Sequence, residues 1–483
     1  MTTYIFNQDW EICQLDDLLC YVIGGDWGKE PDHEDENYEL VACIRGAEFK
    51  NWKNDTGATA VSRKIKRSSL ENRNLQPGDI LIEISGGGPE QPVGRTVLIT
   101  EHVLKKFDTA VVGTNFLRLA RPYNQVSSKY LNYFLTYFYI SGQVVHYQGG
   151  SNNLRNLKFK EYSAIEVPFA SFYEQKEIAD LLDKLLAKVE ATQARLARIP
   201  DIIKQFRQSV LTAAVSGKLT NEWRKSNNVD LSSWIFDLAK NLCDKVQSGS
   251  TPKDNPFGQN GKIPFLKVYN IVNQRIDFDY KPQFVTSEVH SQKLKRSVAL
   301  PDDVLMNIVG PPLGKVALLT NQYPEWNINQ AITLFRTGNK KLIAKFLYFV
   351  LCEGCLVREV LHDVKGIVGQ VNISLSQCRE AVIPCPSLKE QAEIVSRVEQ
   401  LFAYADTLEQ QAKAAKERVD NLTQAILAKA FRGELTSDWR TANPDLISGD
   451  NSAAALLARI QAERATASGK KGKRGTSKTR TTA

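Results

Sequence analysis

The sequence predicts an α+β protein: two similar α/β domains separated by two long antiparallel helices, related by an internal pseudo-twofold repeat. Three observations predict it. The chain is written twice, each copy ends in a heptad-patterned segment, and each copy begins with short apolar runs punctuated by Gly and Pro. A chain of 483 residues, 42% apolar and 24% charged, has a globular composition and is too long for one ordinary core.

The repeat organises the rest. Pro168 to Asn227 aligns without a gap on Pro384 to Asn443 at an offset of 216, with 17 of 60 positions identical. Unrelated chains would match at roughly one position in sixteen, so the match marks a duplication. Its strongest part sets GKLTNEWRKSN (Gly217 to Asn227) against GELTSDWRTAN (Gly433 to Asn443). Upstream, Lys129, Tyr130, Leu131, Leu135 and Asn156 face Lys345, Phe346, Leu347, Leu351 and Asn372. At the front, Trp10, Leu18, Val22 and Gly25 face Trp234, Leu242, Val246 and Gly249 at an offset of 224, so the first copy carries eight extra interior residues. Between these anchors Asp79-Ile80-Leu81 and Gly94-Arg95 resemble Asp303-Val304-Leu305 and Gly314-Lys315, each reading as strand, loop, strand. The remainder of the two fronts has diverged.

Behind each front lies a heptad seam. In the first copy it is Ile178, Leu182, Leu185, Val189, Thr192, Leu196, Ile199, Ile203, Phe206 and Val210. In the second it is Ile394, Val398, Leu401, Ala405, Leu408, Ala412, Ala415, Val419, Leu422 and Ile426. A pseudo-twofold axis lays the two helices antiparallel, and about 40 residues at 1.5 Å each make a rod of roughly 60 Å. Pro200, facing Lys416 in the second copy, is expected to kink the first helix or restart it. Glu174-Gln175-Lys176 opens the first seam and reads as helix surface.

The domains are therefore placed at 1–167 and 229–383, the helical segments at 168–228 and 384–443, and a basic, disordered tail at 444–483. The net charge of +8 is misleading about where a polyanion would bind. Arg464, Lys470, Lys471, Lys473, Arg474, Lys478 and Arg480 lie in the tail, and removing them takes +8 to +1. A nucleic-acid surface must then come from local clusters in the body. No apolar run is long enough to span a membrane and no secretory leader is recognisable, so the chain is expected in the cytoplasm. The eight scattered cysteines suit reduced thiols.

Clusters of basic and amide side chains do occur in loop-like stretches of both fronts. The first offers Arg45, Lys50, Arg63, Lys64, Lys66, Arg67 and Arg95, with Ser85 to Gly88 and the GGSNNLRN stretch carrying Asn152, Asn153 and Arg155. The second offers Lys253, Lys267, Lys293, Lys295, Arg296, Lys315, Asn329, Gln330, Lys365 and Gln370. Arg and Lys hold phosphates or guanine edges, and Asn and Gln pair with adenine, so these loops suit reading of double-stranded DNA in its grooves.

Catalytic motifs are absent from the sequence. There is no G-x-x-x-x-G-K-[ST] phosphate loop, no G-x-G-x-x-G after a strand and no H-E-x-x-H, and the five histidines lack ligand spacing. Asn255-Pro256-Phe257 and Gly310-Pro311-Pro312 fall short of an adenine-methylating N-P-P-Y/F pocket. Cys352-Glu353-Gly354-Cys355 is a lone C-x-x-C without a second ligand pair, so no metal is expected.

The helical segments PFASFYEQKEIADLLDKLLAKVE, IPDIIKQFRQSVLTAAVSGKLTNEWR, EQAEIVSRVEQLFAYADTLEQQ and NLTQAILAKAFRGELTSDWR resemble the specificity subunits of type I restriction-modification systems, most closely the enteric type IA group. The resemblance is specific over about a quarter of the chain; the fronts match only in plan. It implies a non-catalytic DNA-binding subunit whose two target recognition domains each read half of a bipartite site. It also implies partners: two modification subunits that use S-adenosylmethionine to methylate adenine, and two restriction subunits that use ATP and Mg²⁺. By the same analogy Gly217, Leu219, Thr220, Trp223 and Arg224, with Gly433, Leu435, Thr436, Trp439 and Arg440, are candidates for docking the modification subunits. The rival readings are a coiled-coil scaffold that reads no sequence and a fused methyltransferase-nuclease.

Overall fold

The computed structural model describes residues 10–88, 91–151, 154–252, 257, 261–363 and 372–473, without the side chains of Ser151, His362, Asp363 and 467–473. The chain forms two compact units: Met1–Arg195 with Lys416–Ala483, and Leu196–Ala415. Each unit holds one front plus half of each long helix, so the units cut across the expected sequential boundaries.

In the first unit a four-stranded antiparallel sheet runs in the order Leu19–Gly24, Leu117–Pro122, Ile80–Glu83, Thr96–Leu98. The second unit repeats it as Lys245–Ser248, Ile332–Arg336, Val304–Asn307, Val316–Leu318. The runs Ile80-Leu81-Ile82 and Val304-Leu305-Met306 are apolar because both faces of these strands are covered. Ile80 and Ile82 enter one core with Tyr130 and Phe134, while Leu81 enters a second with Val97 and Leu119. Val304 and Met306 against Leu305 divide in the same way, as the twofold period of a strand requires. A further sheet in each unit, of three strands in the first and four in the second, contains one parallel pair: Tyr38–Ile44 with Val111–Gly113, and Ile263–Leu266 with Trp326–Ile328. Gly25 and Gly249 are glycines of necessity. A Cβ on Gly25 would stand 2.1 Å from the carbonyl oxygens of Gly113 and Thr114, and one on Gly249 would stand 2.1 Å from that of Asn329.

The long helices span Phe172–Val215 and Leu388–Phe431, 44 residues each, or about 66 Å at 1.5 Å per residue. They run antiparallel within each unit. In the first, Glu174 meets Arg440 and Gln193 meets Asp420; in the second, Arg224 meets Glu390 and Arg207 meets Asp406. The helix is continuous through Pro200, against the expected restart. One missing N–H donor is outweighed by packing on either side, where Val189 and Ile203 are buried. The seam is looser than the heptad pattern suggests, since Thr192, Leu408 and Leu422 are exposed.

The segment expected to be a disordered tail is corrected in part: Ala453–Lys473 is a helix. Ala453, Leu456 and Ile460 are buried in the first unit's core, and Arg464 pairs with Asp16 and Asp17. Residues 474–483, with Arg474, Lys478 and Arg480, lie outside the described residues.

Candidate nucleic-acid interface

The structure brings together the two loops of the first front that the sequence singles out. The strand Ser85–Gly86 pairs with Leu154–Leu157, which pairs in turn with Gln148–Ser151. Asn156 stands opposite Ser85, whose hydroxyl donates to Asn156 Oδ1 at 2.6 Å. Gly150 makes the sharp hairpin possible: its φ is +129°, and a Cβ there would approach the Leu154 carbonyl oxygen to 2.4 Å. In the second unit Val309 bridges Asn372, the positions equivalent to Ser85 and Asn156 at offsets 224 and 216. The same stitch therefore holds the loop after the central strand in both units.

The candidate basic residues divide by what their charge already meets. Arg63 is 6% exposed; its Nε donates to the Trp27 carbonyl at 3.0 Å, its guanidinium pairs with Glu30 and lies over the Trp27 ring at 4.2 Å. Arg95 forks onto buried Glu83 and donates to the Gly46 carbonyl. Both guanidiniums are thus engaged inside the first domain, Arg63 with an exposed carboxylate and a ring and Arg95 with a buried carboxylate. Arg45 pairs with Glu48, Arg67 with Glu39, and Lys64 donates to the His33 carbonyl. Lys50 and Lys66 are exposed, and Arg155 is half-buried in the hairpin. In the second front Lys293, Lys295 and Arg296 are exposed just after the helix Ser287–Gln292. Lys267 lies 4.8 Å over the Phe257 ring. Lys315 is half-buried, Gln330 is exposed, and Asn329 has a buried Oδ1 without a hydrogen-bond partner. Asn152, Asn153, Lys253, Lys365 and Gln370 lie outside the described residues.

The G-x-L-T-x-x-W-R segments do structural work. Arg224 Nη1 donates to Glu390 Oε1 at 2.6 Å, Thr220 Oγ1 to the same oxygen at 2.7 Å, and Trp234 Nε1 to Oε2 at 2.9 Å. The mirror cluster is Arg440, Thr436 and Trp10 around Glu174, at 2.6, 2.7 and 3.0 Å. Gly217 and Gly433 adopt φ of +75° and +74°, turning the chain so that their carbonyls accept from Arg224 and Arg440. Within these segments Leu219, Trp223, Leu435 and Trp439 are only half-buried. The reading of Glu174-Gln175 as helix surface is thereby corrected. Glu174 is 1% exposed and Gln175 fully buried, because each carboxylate or amide is saturated with partners. Gln175 accepts from Ser127 N and donates to the Ala170 carbonyl, and Gln391 repeats this with Ile343 N and Pro386. Sequence reasoning missed both clusters, although Glu-Gln recurs at 174–175 and 390–391 inside the aligned repeat. A second duplicated pair joins sheet strands: Asp79 with Arg121 and Asp303 with Arg336, each through two hydrogen bonds.

Among the described residues no group of three or more His, Cys, Asp or Glu side chains could hold a metal, and no helix is long and apolar enough to cross a membrane. Cys352 is half-buried, and burial pushes its thiol up to about 12, while Cys355 is exposed and donates to Glu359.

Residues 7–201 and 237–417 each match the type I restriction modification DNA specificity domain. The chain is 34% identical over 478 residues to the type I restriction enzyme EcoKI specificity subunit of Escherichia coli (strain K12), covering 97% of this chain and 98% of that one. It is 34% identical over 471 residues to the StySPI specificity subunit of Salmonella potsdam, covering 96% and 97%. The crystal structure of the HsdS subunit from Thermoanaerobacter tengcongensis shares the fold with a TM-score of 0.59 at 16% identity, over 90% of this chain and 99% of that chain. Matches to the domain over most of the chain, and to relatives along nearly its whole length, place it: the chain belongs to the type I restriction-modification specificity subunits, of the enteric type.

Proposed function

We propose that the chain is a non-catalytic reader of a bipartite, asymmetric DNA site, each front contacting one half and the two long helices fixing the number of base pairs between them. One observation carries this reading. What is duplicated is framework: the sheet order, the Asp-Arg pairs and the Glu-Thr-Arg-Trp clusters. What differs is the loop equipment around it. A common scaffold with different loops is what two different half-sites on one duplex require.

The exposed bases Lys50, Lys66, Lys293, Lys295 and Arg296, with Arg155 and the neighbouring sequence positions Asn152 and Asn153, are the contacts we assign to the duplex. Two modification subunits dock where the G-x-L-T-x-x-W-R segments expose part of Trp223 and Trp439, and two restriction subunits join that assembly. S-adenosylmethionine, ATP and Mg²⁺ serve the chemistry of those partners, which methylate adenine after flipping it from the duplex and cut DNA. Exchanging residues 10–167 for the first front of another specificity subunit tests the reading. Methylated sites should change in one half only; a change in both halves overturns independent reading.

A further inference from the structure

Six buried or half-buried arginines of this protein are matched to acids, and half-buried Arg73 donates to the Gly24 carbonyl and to Ser69. Arg63, Arg95, Arg121, Arg224, Arg336 and Arg440 each meet a carboxylate. Arg118 is different. It lies in the strand Leu117–Pro122, opposite Gly24 on one side and Ile82 on the other, and its guanidinium stacks 4.6 Å from the Phe159 ring. Its Nε is buried and has no hydrogen-bond partner among the described residues. Burial pulls its pKa down with no acid to oppose the pull. A cation stripped of part of its water and given no counter-charge is costly, and the fold spends that cost at one particular place.

That place is the foot of the loop sheet. Ile84 N and Ser85 N both donate to the Phe116 carbonyl, two residues before Arg118, and Leu157 N donates to the Ile84 carbonyl, two residues before Phe159. Across the strand, a Cβ on Gly24, the residue paired with Arg118, would meet nothing within 4 Å, so open space lies opposite Arg118 at that register position. The equivalent position in the second unit is different. Thr333, opposite Ser248 and Met306, occupies the position equivalent to Arg118 and is fully buried.

Resting on the proposed DNA-reading function, we propose that Arg118 is a phosphate clamp of the first front: its guanidinium, held planar by Phe159, takes a backbone phosphate of the duplex admitted beside Gly24. A phosphate rather than a base edge fits, because what the site lacks is negative charge, and a guanine edge is neutral.

The test uses the full chain assembled with its modification subunit and two duplexes, one bearing the methylated target and one unrelated. Binding is titrated over a series of salt concentrations for wild type, Arg118→Gln and Arg118→Lys. Removing one phosphate contact should weaken Arg118→Gln several-fold on both duplexes alike and make the slope of log affinity against log salt shallower by about one. Arg118→Lys should keep most of that slope. Melting temperature should stay level or rise in Arg118→Gln, whereas a structural arginine would lower it. An unchanged salt slope overturns the clamp, as does a loss confined to the target duplex, which would make Arg118 a base reader. The unrelated duplex keeps the clamp testable even if the wild-type complex shows no sequence preference, an outcome that would overturn the proposed function instead.

Discussion

Glu174 and Glu390 show how much depends on single buried charges. Each carboxylate receives an arginine and a threonine from one segment and an indole from another, so its removal strands a guanidinium in the interior. Glu390→Ala should destabilise the second unit by about 3–5 kcal/mol, seen as a lowered melting transition, and Glu174→Ala should do the same to the first. A loss under about 1 kcal/mol would show the clusters to be incidental. The thiols make a second prediction. Burial raises Cys13, Cys43 and Cys243 from the usual 9.0 to about 12. A raised folded value means the thiols favour the folded state below pH 9.0 and that this contribution is lost as pH climbs toward 12. Stability should therefore fall above pH 9.0, and maleimide at pH 8 should label exposed Cys20 and Cys355 well before these three, as peptide mass spectrometry would show. These partnerships were hard to read in the sequence. An acid in the first turn of a helix is ordinarily surface, and only its recurrence as Glu-Gln at an offset of 216 signalled otherwise.

At the scale of elements, the two long helices were legible because their apolar period recurs with the duplication, and the sheet strands because Ile80-Leu81-Ile82 and Val304-Leu305-Met306 are apolar on both faces. The helix Ala453–Lys473 was not. Its Ala453, Leu456 and Ile460 stripe is helical in period, but the basic composition beyond it obscured the signal. Since that stripe fills the first unit's core, Leu456→Ala should cost about 2–5 kcal/mol and lower the first unit's melting transition while leaving the second unit's in place. Equal shifts in both would contradict the assignment. Inserting one helical turn into either long helix should lengthen or shorten the gap between the methylated halves without altering their sequences, readable by methylome sequencing. Altered half-sites would sink the spacer role.

The whole molecule is one framework executed twice with different loops, and its central claim is that two unlike fronts specify two unlike half-sites. The duplication was visible in the chain. The loops that distinguish the fronts were visible only as clusters, since whether an arginine reads DNA or holds the domain together depends on partners far away in sequence, as Glu30 is to Arg63 and Glu83 to Arg95. The most direct measurement is to express this chain with its modification subunit in a host lacking adenine methylation of its own, and to map methylated adenines across the genome. The account predicts one bipartite motif with two different halves, a fixed gap of unspecified bases and one methylated adenine in each half. Methylation at a palindromic or undivided motif, or none that depends on this chain, would contradict it.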